Sequence, residues 1–269
     1  MNIETGIADI SAGRARLRVT GDDRTAFLHG QCTNDVKRRR PGESCYAAFL
    51  NAKGKMRGDA HIICLDDAFL LEASVGLQPS LEKFIITEDV VIEDVSATFR
   101  AWLVIGPPPS LPADALNFSH PLGVGVISAT PLTTTLRAEV LEVLRVEAGV
   151  PKFGMDMDEN TIPNEAGLES RVIDYEKGCY IGQETIARIK TYGHVNRHLV
   201  QLAVDGNSVP APGTKLYSAE KEIGQMTSAV QSVRLGKPLA LGYVRREFAK
   251  AGTKLKVGDQ NAEVLKLCG

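Results

Sequence analysis

The sequence predicts an α+β fold, in which strands and short helices form a first domain and a small β-barrel forms a second. Alternating apolar stretches dominate the first part of the chain, and from about His198 short alternating runs are separated by Gly, Pro and Asp. The chain has 269 residues, 43% of them apolar, which is enough for two modest cores. We therefore predict a first domain at residues 1–197 and a barrel domain at residues 198–269. Clustered prolines indicate an internal seam near residues 106–121.

The elements of the first domain follow from local periodicity and turn residues. Residues 15–20 alternate as a strand, and residues 24–31 put apolar side chains on one helical face, with Asp22 available as the N-cap. Further strands are predicted at residues 44–51, 58–65, 68–73 and 98–105, and a short helix at residues 79–84.

The most regular apolar period predicts a helix at residues 133–148. Leu136, Val140 and Leu144 recur at every fourth position, and Gly149 followed by Pro151 ends the helix. In the carboxyl-terminal module, strands are predicted at residues 199–204, 214–218, 224–230, 239–244 and 262–267.

Charge and cysteine content exclude several classes of protein. Lys and Arg total 31 against 33 Asp and Glu, a net charge of -2, so stable nucleic-acid binding is not expected. The amino-terminal residues lack the apolar core of a signal peptide, and no run reaches the roughly 20 apolar residues of a membrane span. We expect a cytosolic monomer without membrane contact. The five cysteines are scattered without a CxxC spacing, which predicts neither a disulfide framework nor a resident metal.

Residues 177–184, Lys-Gly-Cys-Tyr-Ile-Gly-Gln-Glu, are the main candidate for chemistry. A helix is predicted to begin after Gly182, so Cys179 lies near amide N–H groups and a dipole that favour a thiolate over a thiol. Lys177 adds a positive charge, and the flanking glycines allow another molecule close to the backbone. These features predict a reactive thiol. A buried structural cysteine is the alternative, because free cysteine is among the most buried residue types.

The same segment, followed by Ala187 and Arg188, resembles the diagnostic motif of the YgfZ family, folate-binding relatives of the glycine-cleavage T-protein. Weaker matches occur in the family's order at residues 27–31, 33–36, 54–59, 144–151 and 161–165. The resemblance implies a T-protein-like folate-binding body of two related subdomains, in a ring-like arrangement with a carboxyl-terminal β-barrel. It also implies tetrahydrofolate in the central hole.

The resemblance assigns roles to individual residues. Glu147 matches the pterin-binding glutamate, whose carboxylate would grip the guanidine-like edge of the pterin through charge-assisted hydrogen bonds. Asp59 matches an aspartate that orients or deprotonates the acceptor amine; a solvated aspartate at the end of a strand is the alternative. The other predicted folate contacts are Tyr180, Gln183, Arg188 and Arg197, and the predicted catalytic set is Cys179, Asp59 and Lys177.

Two functions follow from this resemblance. One is a folate-dependent aminomethyltransferase that moves a one-carbon unit to tetrahydrofolate. The other, which we favour, is an accessory factor in which folate and Cys179 together assemble or repair iron–sulfur clusters in client enzymes, some of which modify tRNA. A single soft thiolate suits transient exchange with a cluster or a persulfide, but is too little for stable cluster binding. A folate-binding module in which Cys179 only packs is the third alternative.

A dense basic run, Lys-Arg-Arg-Arg, occupies residues 37–40. It would suit the anionic tail of folate, an RNA or an acidic partner, and a solvated loop is the alternative. The sequence identifies neither the partner of this run nor the client proteins.

Overall fold

The computed structural model describes residues 5–269, which fold as two compact units. The amino-terminal unit comprises residue 5 to Ala138 together with Ser170–Arg188, and the barrel unit comprises Glu139–Glu169 and Ile189–Gly269. The domain boundary predicted at residue 197 stays a prediction. Within residues 5–269, no helix has both the length and the apolar character needed to cross a membrane.

Two antiparallel sheets form the amino-terminal unit. The strands are β1 (Gly6–Asp9), β2 (Arg14–Thr20), β3 (Ser44–Leu50), β4 (Met56–Cys64), β5 (Phe69–Ser74), β6 (Val91–Asp94), β7 (Arg100–Ile105), β8 (Leu116–His120) and β9 (Gly123–Ser128). One sheet has the order β3-β4-β5-β2-β6 and the other the order β1-β7-β9-β8. The helices of this part of the chain are α1 (Arg24–Gln31), α2 (Leu77–Glu82), α4 (Glu169–Val172) and the start of α5 (Gln183–Tyr192). The predicted α+β class is confirmed.

Both faces of the five-stranded sheet are covered. On one face α1 and α2 contribute Leu28 and Leu81 to a large apolar cluster, and on the other face Ile63 packs with Phe118 and Ile127 of the second sheet. Because β4 is buried on both faces, it reads as a nearly continuous buried run rather than an alternating one. Side chains alternate along a strand, so residues two and four positions before Ile63 also face the space between the sheets.

The start of α1 differs from the sequence prediction in its cap. The helix spans the predicted residues, but its N-cap is Asp23 and not Asp22, so that prediction is wrong. The carboxylate of Asp23 accepts a hydrogen bond from the amide of Asp89 (2.9 Å), and the amide of Asp22 donates to the Asp89 carboxylate (3.0 Å). Asp23 therefore occupies the N-cap position without a side-chain capping hydrogen bond, and these contacts tie the start of the helix to the chain before β6.

A closed barrel forms most of the second unit. The unit includes helix α3 (Ala138–Ala148). The barrel strands are β10 (Arg197–Val204), β11 (Lys215–Ser218), β12 (Lys221–Ser232), β13 (Lys237–Arg245), β14 (Lys254–Val257) and β15 (Gln260–Leu267). The strand order is β10-β13-β12-β11-β14-β15, and β10 pairs with β15 to close it. The barrel is filled by side chains such as Leu202, Met226 and Val244, while Val146 of α3 packs against its outer face. The predicted carboxyl-terminal β-barrel is confirmed.

Helix α3 begins five residues later than predicted. The amides of Thr135 and Leu136 both donate to the carbonyl oxygen of Ile7 in β1 (2.8 and 2.9 Å), and the Thr135 hydroxyl accepts from the Ile7 amide (2.9 Å). The backbone groups that would open an earlier helix are therefore used by a strand. The β-branched threonines also have low helix propensity.

Candidate functional site

Cys179 lies in the loop directly before α5. It is exposed, whereas the other four cysteines, all within the described residues, are buried. Helix α5 begins at Gln183, as the sequence predicts. Gly182 before it has a φ of +87°, and a Cβ there would lie 2.6 Å from the carbonyl oxygen of Asn51. Glycine is therefore required for this close passage of the loop.

Lys177 is bound to the carboxyl end of α1. Its buried ammonium group donates to the carbonyl oxygens of His29 (2.6 Å) and Cys32 (2.5 Å), where the helix dipole favours a cation. The same group lies 4.9 Å from the centre of the Tyr180 ring. Burial lowers the pKa of Lys177 and raises that of Tyr180 to about 12. The positive charge next to Cys179 in the sequence is therefore engaged by carbonyl oxygens, and its predicted catalytic role stays a prediction.

Asp59 is buried in β4, and both of its carboxylate oxygens have partners. Arg14 lies 2.6 Å from Oδ1, the Tyr46 hydroxyl donates to Oδ2 (2.5 Å), and the Asp59 amide donates to Ser74 (3.1 Å). Arg14 also binds Glu72 through Nε and Nη2 at 2.7 Å. At 4% exposure, Asp59 is not the solvated strand-end residue of the alternative prediction.

The charges around Asp59 shift the pKa values of its partners. Burial alone would lower the pKa of Arg14, but the carboxylates of Asp59 and Glu72 raise it well above its usual value. Burial and the Asp59 charge raise the pKa of Tyr46 well above its usual value. Arg14 thus stays charged and Tyr46 stays a hydrogen-bond donor, which holds the Asp59 carboxylate in one position.

An aromatic stack extends from this network, and sequence reasoning missed it. Phe118, His61 and Tyr46 stack with centroid separations of 4.3 and 4.4 Å, and the Arg171 guanidinium lies 5.2 Å over the Tyr46 ring. Burial lowers the pKa of His61 well below its usual value; burial together with the Arg171 and Arg14 charges lowers that of His120 to about 4. The sequence carried one signal for this cluster: Asp59, His61 and Ile63 are two residues apart in a predicted strand, which puts their side chains on one face.

Glu147 lies near the end of α3 in the barrel unit. Its side chain is 12% exposed, and Oε1 accepts hydrogen bonds from the Ser232 hydroxyl (2.5 Å) and the Arg234 amide (3.3 Å). Oε2 lies 4.0 Å from Nε of Arg234, beyond hydrogen-bond distance. Because each carboxylate oxygen can accept two hydrogen bonds, Oε2 keeps acceptor capacity for a ligand.

The remaining predicted folate contacts fall in different surroundings. Arg197 pairs with Glu165 (3.0 Å) and lies 4.4 Å over the Tyr243 ring, within the barrel unit. Arg188 is 73% exposed and pairs only weakly with Glu184 on the same helix (3.3 Å). Gln183 is partly exposed at the first position of α5. Cys179, Lys177, Tyr180, Gln183, Arg188 and Asp59 belong to the amino-terminal unit, and Glu147 and Arg197 to the barrel unit.

A cavity of about 660 Å³ lies within the barrel unit, between residues 154–161 and the strands β11 to β13. Arg197 and Tyr243 line it together with Asp156. The Tyr243 side chain is nearly buried, and its hydroxyl finds no hydrogen-bond partner in the part of the chain that the structure describes. The volume of this cavity is that of a small-molecule site.

The described residues form packed antiparallel sheets with helices and a closed six-stranded barrel, which together make an α+β protein with a barrel unit. Residues 2–110 match the GCVT N-terminal domain, and residues 197–266 match the glycine cleavage T-protein C-terminal barrel domain. The structure of glycine cleavage system aminomethyltransferase T from Bartonella henselae has the same fold, with a TM-score of 0.82 at 20% identity over 98% of this chain and 86% of that one. The chain belongs to the GcvT-like family.

Named relatives agree with this assignment. An aminomethyltransferase of Chlorobium luteolum is 25% identical, covering 94% of this chain and 82% of that one. A chloroplastic Arabidopsis thaliana protein with a provisional transferase name is 28% identical over 91% of this chain. An aminomethyltransferase of Thermosynechococcus vestitus is 40% identical over 43% of this chain. The chain spans 66% of the length of the plant protein and 31% of the Thermosynechococcus enzyme.

Proposed function

We propose that this protein is a folate-binding accessory factor of the YgfZ type, which uses Cys179 to assemble or repair iron–sulfur clusters in client enzymes. The observation that carries the proposal is the exposure of Cys179 in the Lys-Gly-Cys-Tyr-Ile-Gly-Gln-Glu loop, while the other cysteines are buried. The Lys177 hydrogen bonds hold the loop on α1. An exposed thiol on a fixed loop is available to a partner protein at a defined position.

Tetrahydrofolate is proposed as the bound small molecule. A pterin edge needs a carboxylate that is shielded from water and has a free acceptor oxygen, and Glu147 meets both conditions. Asp59 has the buried position that a ligand-facing carboxylate requires, although Arg14 and Tyr46 already engage it. When bound, the folate would supply one-carbon chemistry, and Glu147 would orient its pterin.

The second candidate is an aminomethyltransferase. It is favoured by the aminomethyltransferase of Chlorobium luteolum, which aligns over 94% of this chain. Arg14 and Tyr46 each bond one oxygen of Asp59, so a substrate amine would have to share this carboxylate with both of them. Incubation of the protein with an aminomethylated carrier and tetrahydrofolate tests this candidate. Formation of methylene-folate would establish it, and its absence would remove it.

The role of Cys179 is tested in cells that depend on this protein for iron–sulfur enzyme activity. We expect Cys179→Ser to abolish the rescue of an iron–sulfur dehydratase and of an iron–sulfur tRNA-modifying enzyme at unchanged protein level. Cys64→Ser is the matched control, because a serine hydroxyl keeps the weak bonds of the buried Cys64 thiol to the carbonyl oxygens of Arg39 and Leu65. Full rescue by Cys179→Ser would refute the proposed function.

Folate binding is tested by calorimetry with tetrahydrofolate. Loss of a charge-assisted hydrogen bond costs about 1.5–3 kcal/mol, so Glu147→Gln should weaken binding roughly 10- to 100-fold. Glu139→Gln, on an exposed position of the same helix, should leave the dissociation constant unchanged. Equal affinity of Glu147→Gln and the unmodified protein would contradict the assignment of the pterin-binding carboxylate.

A further inference from the structure

His29 is a buried titratable residue that the proposed function does not use, and it lies beside the loop that carries Cys179. It is in the last turn of α1, 6% exposed. Its Nε2 lies 3.4 Å from the position that a Cβ would take on Gly178, the residue directly before Cys179. The imidazole therefore meets the reactive loop without an intervening side chain.

Hydrogen bonds on both sides of Cys179 fix the loop over this imidazole. Before it, the Lys177 ammonium donates to the carbonyl oxygen of His29 (2.6 Å). After it, the Ile181 amide donates to the carbonyl oxygen of Gly30 (3.1 Å). Residues two positions before and two positions after Cys179 are thus bonded to the last turn of α1. The backbone that carries Cys179 is thus held at the end of α1 that carries His29, a residue type that often serves as a general base.

Asp35 is placed to orient the imidazole. Its Oδ1 lies 3.5 Å from Nδ1 of His29, an ion-pair distance rather than a hydrogen bond. The Asp35 carboxylate is itself held by the amides of Lys37 (2.8 Å) and Arg38 (3.1 Å). Although burial raises the pKa of Asp35, these amide bonds lower it below its usual value, so the carboxylate is charged at pH 7.

Burial and the nearby lysine charges keep His29 neutral at pH 7. Burial and the Lys177 charge lower its pKa, and Lys37 acts in the same direction. Asp35 and Asp174 oppose this change, and the resulting pKa remains below the ordinary value of 6.5. A neutral imidazole can accept the proton of a thiol that comes within hydrogen-bond distance of it.

We propose that Cys179, His29 and Asp35 form a nucleophilic site in which His29 is the general base and Asp35 its positioning residue. The inference rests on the proposed function, in which Cys179 is the reactive thiol, and it names the substrate class as a persulfide. The Cys179 sulfur bonds to the outer sulfur of the persulfide, whose S–S bond breaks. The thiol proton passes to Nε2 of His29 and then to the departing thiolate, which leaves as a thiol.

The test is the rate of Cys179 alkylation by iodoacetamide between pH 5.5 and 9.5, with the modified cysteine identified by mass spectrometry. We expect His29→Gln to slow alkylation at pH 7 at least tenfold, with the loss shrinking near pH 9.5, where free thiols ionise. Added imidazole should restore part of the rate. Asp35→Asn, which keeps an acceptor for the Lys37 and Arg38 amides, should give a smaller loss and serves as the second variant if His29→Gln is unstable.

The control variant is His194→Gln, which removes an exposed histidine and should leave the alkylation rate unchanged.

Three outcomes separate this inference from the proposed function. If Cys179 reacts rapidly but His29→Gln and Asp35→Asn have the unmodified rate profile, the general base is refuted and the reactive thiol survives. If Cys179 of the unmodified protein reacts no faster than a free cysteine at pH 7, both are refuted. A slowed His29→Gln with imidazole rescue supports the site.

Discussion

Acidification from pH 7 to pH 5 should destabilise the amino-terminal unit through His120, at the end of β8. Burial and the charges of Arg171 and Arg14 lower its pKa from 6.5 to about 4. The unfolded chain binds a proton at this histidine near pH 6.5, whereas the folded protein resists protonation until about pH 4. Stability from this group is therefore fully present above pH 6.5 and is lost as the pH falls toward 4.

The size of the effect follows from the two pKa values. One pKa unit corresponds to about 1.4 kcal/mol, so the full loss is at most about 3.5 kcal/mol. Integrating the titration of both states gives a loss of about 2 kcal/mol between pH 7 and pH 5. Most carboxylates of the protein titrate below this window, so the window reports mainly on histidines.

Urea unfolding at pH 7, 6 and 5 measures this loss. His120→Asn keeps an acceptor for the Leu122 amide, which donates to Nδ1 of His120 (3.2 Å). We expect the variant to lose about 2 kcal/mol less than the unmodified protein over this range. His61 remains in both proteins, and burial, the main cause of its lowered pKa, acts in both, although His120 adds to the shift in the unmodified protein. His194→Asn, at an exposed position, should behave like the unmodified protein. An equal pH dependence for His120→Asn would refute the reasoning.

Two further predictions concern buried groups. Arg14→Met should lower the free energy of unfolding by about 3–5 kcal/mol, because it removes the guanidinium that is bonded directly to the buried carboxylates of Asp59 and Glu72; a loss under 1 kcal/mol in urea unfolding would contradict this. Tyr243→Phe should raise the free energy of unfolding by about 1 kcal/mol, and with it the melting temperature, because the Tyr243 hydroxyl finds no hydrogen-bond partner within residues 5–269. A lower melting temperature would instead show that the hydroxyl is hydrogen-bonded in solution.

The fold could be predicted from the sequence wherever local pattern decides the structure. Helix α1 spans the predicted residues, and the alternating runs after residue 198 form the closed barrel. The start of α3 could not be found this way, because the amides of Thr135 and Leu136 bond to β1, which is distant in the sequence. Short strands such as β14 were also missed by the sequence prediction, since four residues carry little periodicity.

The candidate site was predictable only in part. The motif pointed to Cys179, and the predicted helix start after Gly182 is confirmed. The partners of Asp59 were not predicted, because they meet through strand register: Tyr46 pairs with His61, and Arg14 pairs with Ser74. A single sequence does not specify register, and a one-residue slip would move every side chain to the opposite face.

The closure of β10 on β15 leaves none of the six barrel strands with a free edge. Free edges are templates for pairing with another chain, and a closed barrel removes them. The five-stranded sheet, in contrast, ends at β3 and β6 among the described strands. Its edge strand β6 carries the exposed charges Glu93 and Asp94, which oppose the addition of a further strand. Aggregation by strand addition is therefore expected to begin in the amino-terminal unit, and the charges on β6 oppose it at that edge.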